Sequence, residues 1–201
     1  MTGIIHYGAG NVFSVLNTIE RCGEKTCIVS KPRDLLNVDR IILPGVGAFD
    51  EGMGYLEKNN LVDALLKEIK KGKILLGICL GMQMFFEKSE EGELKGIGLM
   101  KGCVKKFPEN KNLCVPHMGW NSIKLVRFSD FTKDIPDESF FYFAHSFYTL
   151  PKDKDVIYGV TEYGLEFASI VQSENIIGVQ FHPEKSGNYG LTLIKNFLRM
   201  S

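Results

Sequence analysis

Cys79 lies in a segment whose composition suits a nucleophilic cysteine. It stands in Gly77-Ile78-Cys79-Leu80-Gly81, after the apolar run Ile74–Ile78 and before apolar residues at helical spacing. A strand that turns sharply into a helix at a nucleophile needs small residues two positions to either side, and the two glycines meet that need. The N-terminus of the following helix favours thiolate, which is the attacking form of cysteine. The sequence therefore predicts a nucleophile at Cys79 rather than an inert buried thiol.

His182 is the candidate proton carrier that a nucleophilic cysteine requires. It stands in Phe181-His182-Pro183-Glu184, at the end of a predicted strand. Pro183 biases the residue before it toward extended backbone. Glu184 is close enough to accept a hydrogen bond from the imidazole, which would fix its tautomer and stabilise imidazolium. We therefore expect a catalytic triad of Cys79, His182 and Glu184.

Attack of a thiolate on a carbonyl carbon also needs hydrogen-bond donors for the oxyanion that forms. The turn Pro44-Gly45-Val46-Gly47 follows the apolar run Ile41–Leu43 and can supply backbone N–H groups from Val46 and Gly47. Leu80, directly after the nucleophile, can supply another. The predicted oxyanion hole therefore consists of Val46, Gly47 and Leu80.

The elements that must position these residues follow two different patterns. In the first half, apolar runs alternate with amphipathic helices, which is typical of parallel strands covered on both faces. In the second half, strands follow one another with few helices, which indicates antiparallel or mixed additions. We expect one α/β domain over residues 1–201, with a mixed, largely parallel central sheet flanked by helices. The predicted strands are 3–7, 26–29, 40–43, 74–78, 104–107, 122–126, 140–143, 157–161, 167–172 and 176–181, and the predicted helices are 11–21, 61–71, one from Cys79 through Phe86, and 189–200.

Composition excludes several functional classes. The chain has 24 basic and 24 acidic residues, so its formal net charge of zero does not favour binding to nucleic acid or an anionic membrane surface. No apolar run is long enough to span a bilayer, and the first seven residues have neither the basic region nor the long apolar region of a signal peptide, so neither feature is expected. The five cysteines include no CxxC pair, so neither a disulfide framework nor a zinc site is expected. These features predict a reduced, cytoplasmic protein without metal.

The motifs together resemble the triad-type, class I glutamine amidotransferases over essentially the whole chain. The resemblance is carried by the elbow from Gly77 to Gln83 and by the segment His182–Ser186. Within that family, Pro116–Asn121 (PHMGWN) and Tyr7–Asn11 (YGAGN) are similar to the glutaminase subunits of imidazole glycerol phosphate synthases. The resemblance implies that the cysteine attacks the side-chain amide of glutamine, that the histidine protonates departing ammonia, and that water then hydrolyses the thioester. It implies no metal or organic cofactor.

The same resemblance implies a partner and further site residues. Ammonia would cross to a (β/α)₈-barrel cyclase subunit of histidine biosynthesis, and the two chains would form a heterodimer. In the family, an N–H of the oxyanion strand can be turned away until the partner is loaded, and glycines on both sides of Val46 would ease that rotation. The implied substrate-binding residues are Gly47, Gln83, Glu91, His145 and Ser146, and the implied partner-facing residues are Asn11, Trp120, Tyr142 and Lys185.

Two departures from the family pattern leave alternatives open. The family usually has Asp where this chain has His6, and Tyr where it has Phe147. Either change is compatible with a paralogue that feeds ammonia to another synthase, for example one that amidinates a surface sugar. A stand-alone γ-glutamyl hydrolase on the same fold is a second alternative. A silent regulatory subunit is a third, which the intact triad opposes.

Overall fold

Parallel strands form the centre of the sheet. The computed structural model describes residues 1–7, 12–45, 47–108 and 113–200. Strands β1 (Thr2–Ile5), β2 (Thr26–Val29), β3 (Arg40–Leu43), β4 (Ile74–Ile78) and β12 (Ile176–Val179) lie in the order β2-β1-β3-β4-β12. Each pair of neighbours is parallel. The carboxyl ends of these strands therefore meet at one edge of the sheet, where open α/β folds place their sites.

Antiparallel strands extend the sheet beyond β12. Strand β11 (Glu166–Ser173) pairs with β12, and β10 (Ile157–Glu162), β7 (His117–Leu125) and β8 (Ser139–His145) follow in that order. Each of these pairs is antiparallel. A side branch is formed by β9 (Phe147–Pro151), which pairs with β11 and β6, by β6 (Gly102–Lys106), and by β5 (Lys88–Ser89). The expected mixed α/β sheet with a parallel centre is confirmed.

Helices cover both faces of the parallel strands. Neighbouring residues of β3 point into different cores, as Ile41 and Ile42 do. The first core contains apolar residues of α2 and α3, and the second contains those of α1 and α5. Burial on both faces explains why the strand sequences are apolar without alternation. The helices are α1 (Val12–Arg21), α2 (Phe49–Lys58), α3 (Leu61–Lys70), α4 (Leu80–Gln83) and α5 (Gly187–Arg199).

Helix α2 and strands β5 and β9 are not predicted by the sequence patterns. Helix α2 contains Gly52 and Gly54, which lower helix propensity. Packing favours glycine at position 52, because a Cβ there would lie only 2.9 Å from the Met84 sulfur. Strand β9 begins two residues after β8 ends, so no turn signal separates the two strands.

The predicted boundaries hold best in the parallel strands. Segments 26–29, 40–43 and 74–78 have the expected limits, whereas the first strand is Thr2–Ile5 and the last ends at Val179. The helix after Cys79 ends at Gln83 and not at Phe86. Met84, Phe85 and Phe86 are fully buried, so their apolar character reflects a buried turn rather than further helix. No helix in the described ranges is both long and apolar enough to cross a membrane.

Candidate active site

Cys79 occupies a tight turn between β4 and α4. Its backbone has φ of +53° and ψ of −109°, a conformation that is uncommon for a residue with a side chain. The Cys79 N–H donates to Val179 O over 2.7 Å, which fixes the turn against β12. A Cβ added to Gly81 would lie 1.8 Å from Leu43 O, and one added to Gly77 would lie 2.4 Å from the Phe85 ring. Both glycines are therefore required by the close packing of the turn.

His182 and Glu184 lie beside Cys79 because β12 neighbours β4 in the sheet. The His182 Nδ1 lies 3.0 Å from Glu184 Oε1, and both side chains are less than 5% exposed. The histidine backbone is held by its N–H bond to Tyr142 O and by the Ser186 hydroxyl, which donates to His182 O. Because Nδ1 faces the carboxylate, Nε2 is the ring nitrogen that can exchange a proton with the Cys79 sulfur.

The charges of this cluster favour an imidazolium. Burial lowers the pKa of His182, but the charge of Cys79, its hydrogen bond, and the Glu184 carboxylate outweigh burial and raise the pKa to about 10. An opposite charge nearby favours the ionised form of a group. The arrangement therefore suits a thiolate–imidazolium pair, which can carry out nucleophilic acyl transfer. Among the described residues, no group of three or more His, Cys, Asp or Glu side chains is arranged to hold a metal ion.

The segment after β3 packs directly against the cysteine turn. A Cβ on Gly45 would lie 2.4 Å from Leu80 Cβ and 2.5 Å from Gly81 N, so the two main chains are in contact. Leu80 is the first residue of α4, and the N–H groups of a first helical turn have no partner inside the helix. Gly47, with φ of +109°, lines the same cavity as Cys79. Val46, the third predicted oxyanion residue, lies outside the described residues.

A cavity of about 350 Å³ opens onto the sulfur. All five residues expected to bind substrate line it. Glu91 is half-buried, and its Oε2 accepts a hydrogen bond from the N–H of Phe49 at the start of α2. Burial raises the pKa of Glu91, an effect that the Phe49 hydrogen bond opposes. The lining residues are Gly45, Gly47, Cys79, Leu80, Gln83, Glu91, Pro116, Met118, Ala144, His145, Ser146, Phe147, His182 and Lys185.

A chain of side-chain amides connects the cavity wall to the sulfur. Gln83 Nε2 donates to Phe147 O over 2.9 Å and to Gln180 Oε1 over 3.2 Å. Gln180 Nε2 in turn lies 3.6 Å from Cys79 Sγ. Gln180 is not among the site residues predicted from the sequence. The available signal is a lone polar residue at the end of an apolar strand, three positions after Ile177 and two before the histidine.

A buried histidine pair, of which His117 was also missed from the sequence, bonds to the same Phe147 carbonyl oxygen as Gln83. His145 Nδ1 lies 2.7 Å from Phe147 O, and His145 Nε2 lies 3.0 Å from His117 Nδ1. Because a carbonyl oxygen only accepts, His145 must donate from Nδ1, and its Nε2 is then an acceptor for His117 Nδ1. His117 Nε2 is left to accept a hydrogen bond from Asn121 Nδ2 at 3.2 Å. Burial lowers the pKa of His117 to about 4 and that of His145 to about 3. Both rings are therefore neutral donors within the wall.

Three of the four expected partner-facing residues form one surface. Trp120 and Tyr142 are paired across β7 and β8 with ring centroids 6.2 Å apart, and Lys185 Nζ lies 5.7 Å from the Tyr142 centroid. Asn11 lies outside the described residues. We call the exposed face of Met118, Trp120, Phe140, Tyr142 and Lys185 the Trp120 patch; it is continuous with the cavity mouth, which Met118 and Lys185 also line.

Comparisons with known proteins agree with this architecture. A family model described as "Glutamine amidotransferase class-I" matches residues 4–200. The chain is 45% identical over 201 residues to "Imidazole glycerol phosphate synthase subunit HisH" of Methanocaldococcus jannaschii, with all of both chains covered. It is 43% identical over 198 residues to a protein of the same name from Desulfitobacterium hafniense, covering 98% of this chain and 93% of that protein.

Solved structures match the fold at low sequence identity. The "Structure of PurLQS from Thermotoga maritima" matches with a TM-score of 0.79 at 19% identity, covering 98% of this chain and 96% of that chain. A glutamine amidotransferase from Thermotoga maritima matches with a TM-score of 0.66 at 17% identity, covering 98% of this chain and 81% of that chain. At these identities the matches show the fold alone.

Proposed function

The chain belongs to the class I glutamine amidotransferase family, and we propose that it is the glutaminase subunit of an imidazole glycerol phosphate synthase. Relatives that carry this name match nearly the whole chain at 43% and 45% identity. The observation that carries the proposal is the arrangement of Cys79, His182 and Glu184 at one edge of the sheet, facing a cavity. The reaction is hydrolysis of glutamine to glutamate and ammonia.

The first half of the reaction forms a thioester. The Cys79 thiolate attacks the side-chain carbonyl carbon of glutamine, and the oxygen becomes an oxyanion that accepts hydrogen bonds from the N–H groups of Leu80 and the Gly47 segment. The carbon–nitrogen bond then breaks as the His182 imidazolium gives its proton to the departing amide nitrogen. The products of this half are ammonia and a γ-glutamyl thioester, with His182 now neutral.

The second half returns the site to its starting state. Neutral His182 takes a proton from water, and the resulting hydroxide attacks the thioester carbonyl carbon. The carbon–sulfur bond breaks, which restores the thiolate, and His182 keeps the proton from water as imidazolium. The new γ-carboxyl group gives its proton to solvent and leaves as glutamate. Glu184 keeps the imidazole in one tautomer throughout and stabilises its charged form.

The cavity wall favours a ligand with an ammonium group. Both amide hydrogens of Gln83 are engaged, by Phe147 O and by Gln180 Oε1, so its carbonyl oxygen is the group that can accept from a ligand. Glu91 adds a carboxylate to the same cavity. Together they suit the α-ammonium group of glutamine, with the backbone of His145 and Ser146 lining the other side.

The Trp120 patch is the proposed docking surface for a (β/α)₈-barrel cyclase subunit. Trp120 is 56% exposed and Met118 is 64% exposed, which is unusual for large apolar side chains grouped on one face. Docking here would cover the cavity mouth, so ammonia could pass to the partner without entering bulk solvent. Rotation of the Val46 peptide on docking is part of the proposal. Equal glutamine turnover by the isolated chain and by the complex loaded with acceptor would contradict that rotation.

Two alternatives fit the observations less well. A stand-alone γ-glutamyl hydrolase has no use for an apolar patch beside its cavity. Phe147, where the family usually has tyrosine, suggests a paralogue that serves another synthase. However, Phe147 contributes its main-chain oxygen to the site, and a change of side chain leaves that contact in place. The main-chain N–H of His6 donates to Val29 O, a contact that does not depend on which side chain stands at position 6.

Activity assays of the purified chain and of its complex test the proposal. The chain mixed with a histidine-pathway cyclase should hydrolyse glutamine, and should act poorly on γ-glutamyl peptides. Cys79→Ala should abolish glutamine-dependent synthesis by the complex while sparing synthesis from added ammonia. If γ-glutamyl peptides are the better substrates, or if the cyclase gains no glutamine-dependent activity, the proposed function is wrong.

A further inference from the structure

We propose that Gln180 is a further catalytic residue, which donates a hydrogen bond from its side-chain amide to the sulfur of Cys79 and stabilises the thiolate. The inference rests on the proposed function, because it assigns Gln180 a part in activating that nucleophile. Gln180 Nε2 lies 3.6 Å from Cys79 Sγ, within the range of an N–H···S hydrogen bond. The side chain is fully buried, so no water competes for the contact.

The sheet register places Gln180 beside the nucleophile. Val179 of β12 is paired with Ile78 of β4, and Gln180 and Cys79 directly follow the ends of the two strands. The Gln180 backbone N–H donates to Ser169 O over 2.9 Å, which holds the residue in line with β11. Its position therefore follows from the pairing of β12 with β4 and from its own backbone bond to β11.

The direction of the Gln180 amide is determined by its neighbours. Phe147 O can only accept, so Gln83 must face it with Nε2. The second hydrogen of that nitrogen is directed at Gln180, which must therefore present Oε1 to Gln83. Gln180 then has only its NH₂ group left for the sulfur. A reversed amide would place two donors against each other at one end and an oxygen against a thiolate at the other.

A neutral donor adds something that the charged neighbours of Cys79 do not. The titratable groups around the sulfur are His182 with its partner Glu184, buried His145, and Glu91 and Lys185 in the cavity. His182 loses its proton during each turnover, whereas the amide of Gln180 keeps its N–H at every step and at every working pH. As a thiol, Cys79 can instead donate to Ala144 O, 3.9 Å away. The Gln180 donor shifts this balance toward thiolate, because a hydrogen bond to the charged form favours that form.

The test is the pH dependence of Cys79 alkylation by iodoacetamide, which attacks only thiolate at an appreciable rate. Alkylation is followed by mass spectrometry on the tryptic peptide of residues 74–88, in which Cys79 is the only cysteine. Gln180→Leu removes the donor and should raise the midpoint of alkylation by about one pH unit, which is a tenfold change in the equilibrium between thiol and thiolate. Gln172→Leu, the same change in β11 at a groove beside Phe128 and Lys133, should leave the midpoint unchanged. If Gln180→Leu does not fold, Gln180→Met replaces it as an apolar side chain of similar length.

Gln180→Glu separates donation from a structural role. Glutamate keeps the shape of glutamine and can still accept from Gln83, so the packing around residue 180 is preserved while the donor to the sulfur is lost. Donation predicts that the glutamate variant, measured at pH 8 to 9, is at least as impaired as Gln180→Leu, since an ionised oxygen would then face the sulfur. Wild-type behaviour of either Gln180 variant would overturn the proposal.

The alkylation assay needs no glutamine, so the two proposals can fail separately. A chain whose Cys79 is alkylated as expected but which does not hydrolyse glutamine would contradict the proposed function only. A chain that hydrolyses glutamine through Cys79, with the same alkylation midpoint in Gln180→Leu and wild type, would contradict the role of Gln180 only.

Discussion

His182 Nδ1 lies 3.0 Å from Glu184 Oε1, although a single residue separates the two in the chain. The turn Pro183–Lys185 brings the carboxylate back onto the imidazole. The second carboxylate oxygen, Oε2, is buried and has no hydrogen-bond partner among the described residues. The negative charge of Glu184 is therefore directed at His182, and its effect should be visible in both rate and pH dependence.

Removal of that charge should slow the reaction. In Glu184→Gln the imidazolium loses the carboxylate charge that stabilises it, and an amide that can donate as well as accept no longer fixes the tautomer, so we expect kcat/KM for glutamine to fall by about 100-fold or more. The measurement is ammonia release by the chain in complex with its cyclase. Glu166→Gln, the same substitution at an exposed glutamate of β11, is the matched control. A Glu184→Gln variant as active as this control would contradict the triad.

The raised pKa of His182 predicts activity at high pH. Because the pKa of about 10 lies above the usual value of 6.5, the imidazolium that protonates ammonia persists until the pH approaches 10. The alkaline limb of kcat/KM should therefore fall near pH 10, and should move to lower pH in Glu184→Gln. The free energy of unfolding should also decrease as the pH rises. The contribution of His182 is complete below pH 6.5 and is lost as the pH rises toward 10. An alkaline limb near pH 6.5 would contradict the ion pair.

The histidine pair predicts acid sensitivity of the fold. The pKa values of His117 and His145 are lowered to about 4 and about 3, so the unfolded chain binds protons more readily than the folded chain. Stability should be complete above pH 6.5 and should fall below it, by up to about 1.4 kcal/mol per pH unit for each histidine. His117→Phe keeps a ring between Phe143 and Tyr163 but removes one titrating group. Denaturant unfolding between pH 7 and pH 4 should give a shallower slope for this variant, and parallel curves would contradict the assignment.

The Trp120 patch predicts a localised effect on assembly. Trp120→Ala should weaken binding of the cyclase by at least about tenfold, because large aromatic residues near the centre of an interface contribute most to affinity. Binding is measured by calorimetry. Phe128→Ala is the matched control, since Phe128 is 78% exposed and lies at a separate groove beside Lys133. Equal effects of the two substitutions would place the partner elsewhere.

The parallel half of the fold can be predicted from sequence because its strands are buried on both faces. Ile41–Leu43 and Ile74–Ile78 are continuous apolar runs, and strands β3 and β4 end where these runs stop. Helix α2 could not be predicted in this way. Gly52 has a packing reason, since a Cβ there would lie 2.9 Å from the Met84 sulfur, and tertiary packing is not visible in local propensity.

In the candidate site, too, local sequence patterns predict some residues and long-range packing places the others. Cys79 and His182 are marked by local patterns, namely small neighbours at fixed spacing and a proline after a strand-end histidine. Gln180 is marked only as a polar residue after an apolar run, and His117 lacks comparable neighbours, because the contacts of both depend on strand register and on residues distant in sequence. Long-range pairing of this kind becomes visible only in the folded chain.

The most direct test of the proposed mechanism is to trap the thioester on the wild-type chain. The complex is incubated with glutamine and acceptor, quenched in acid, and digested, and the peptide of residues 74–88 is examined by mass spectrometry. We predict an added mass of one glutamyl group on Cys79, and neither the adduct nor glutamine hydrolysis in Cys79→Ala. Glutamine hydrolysis that persists in Cys79→Ala, or an adduct on another cysteine, would contradict the mechanism.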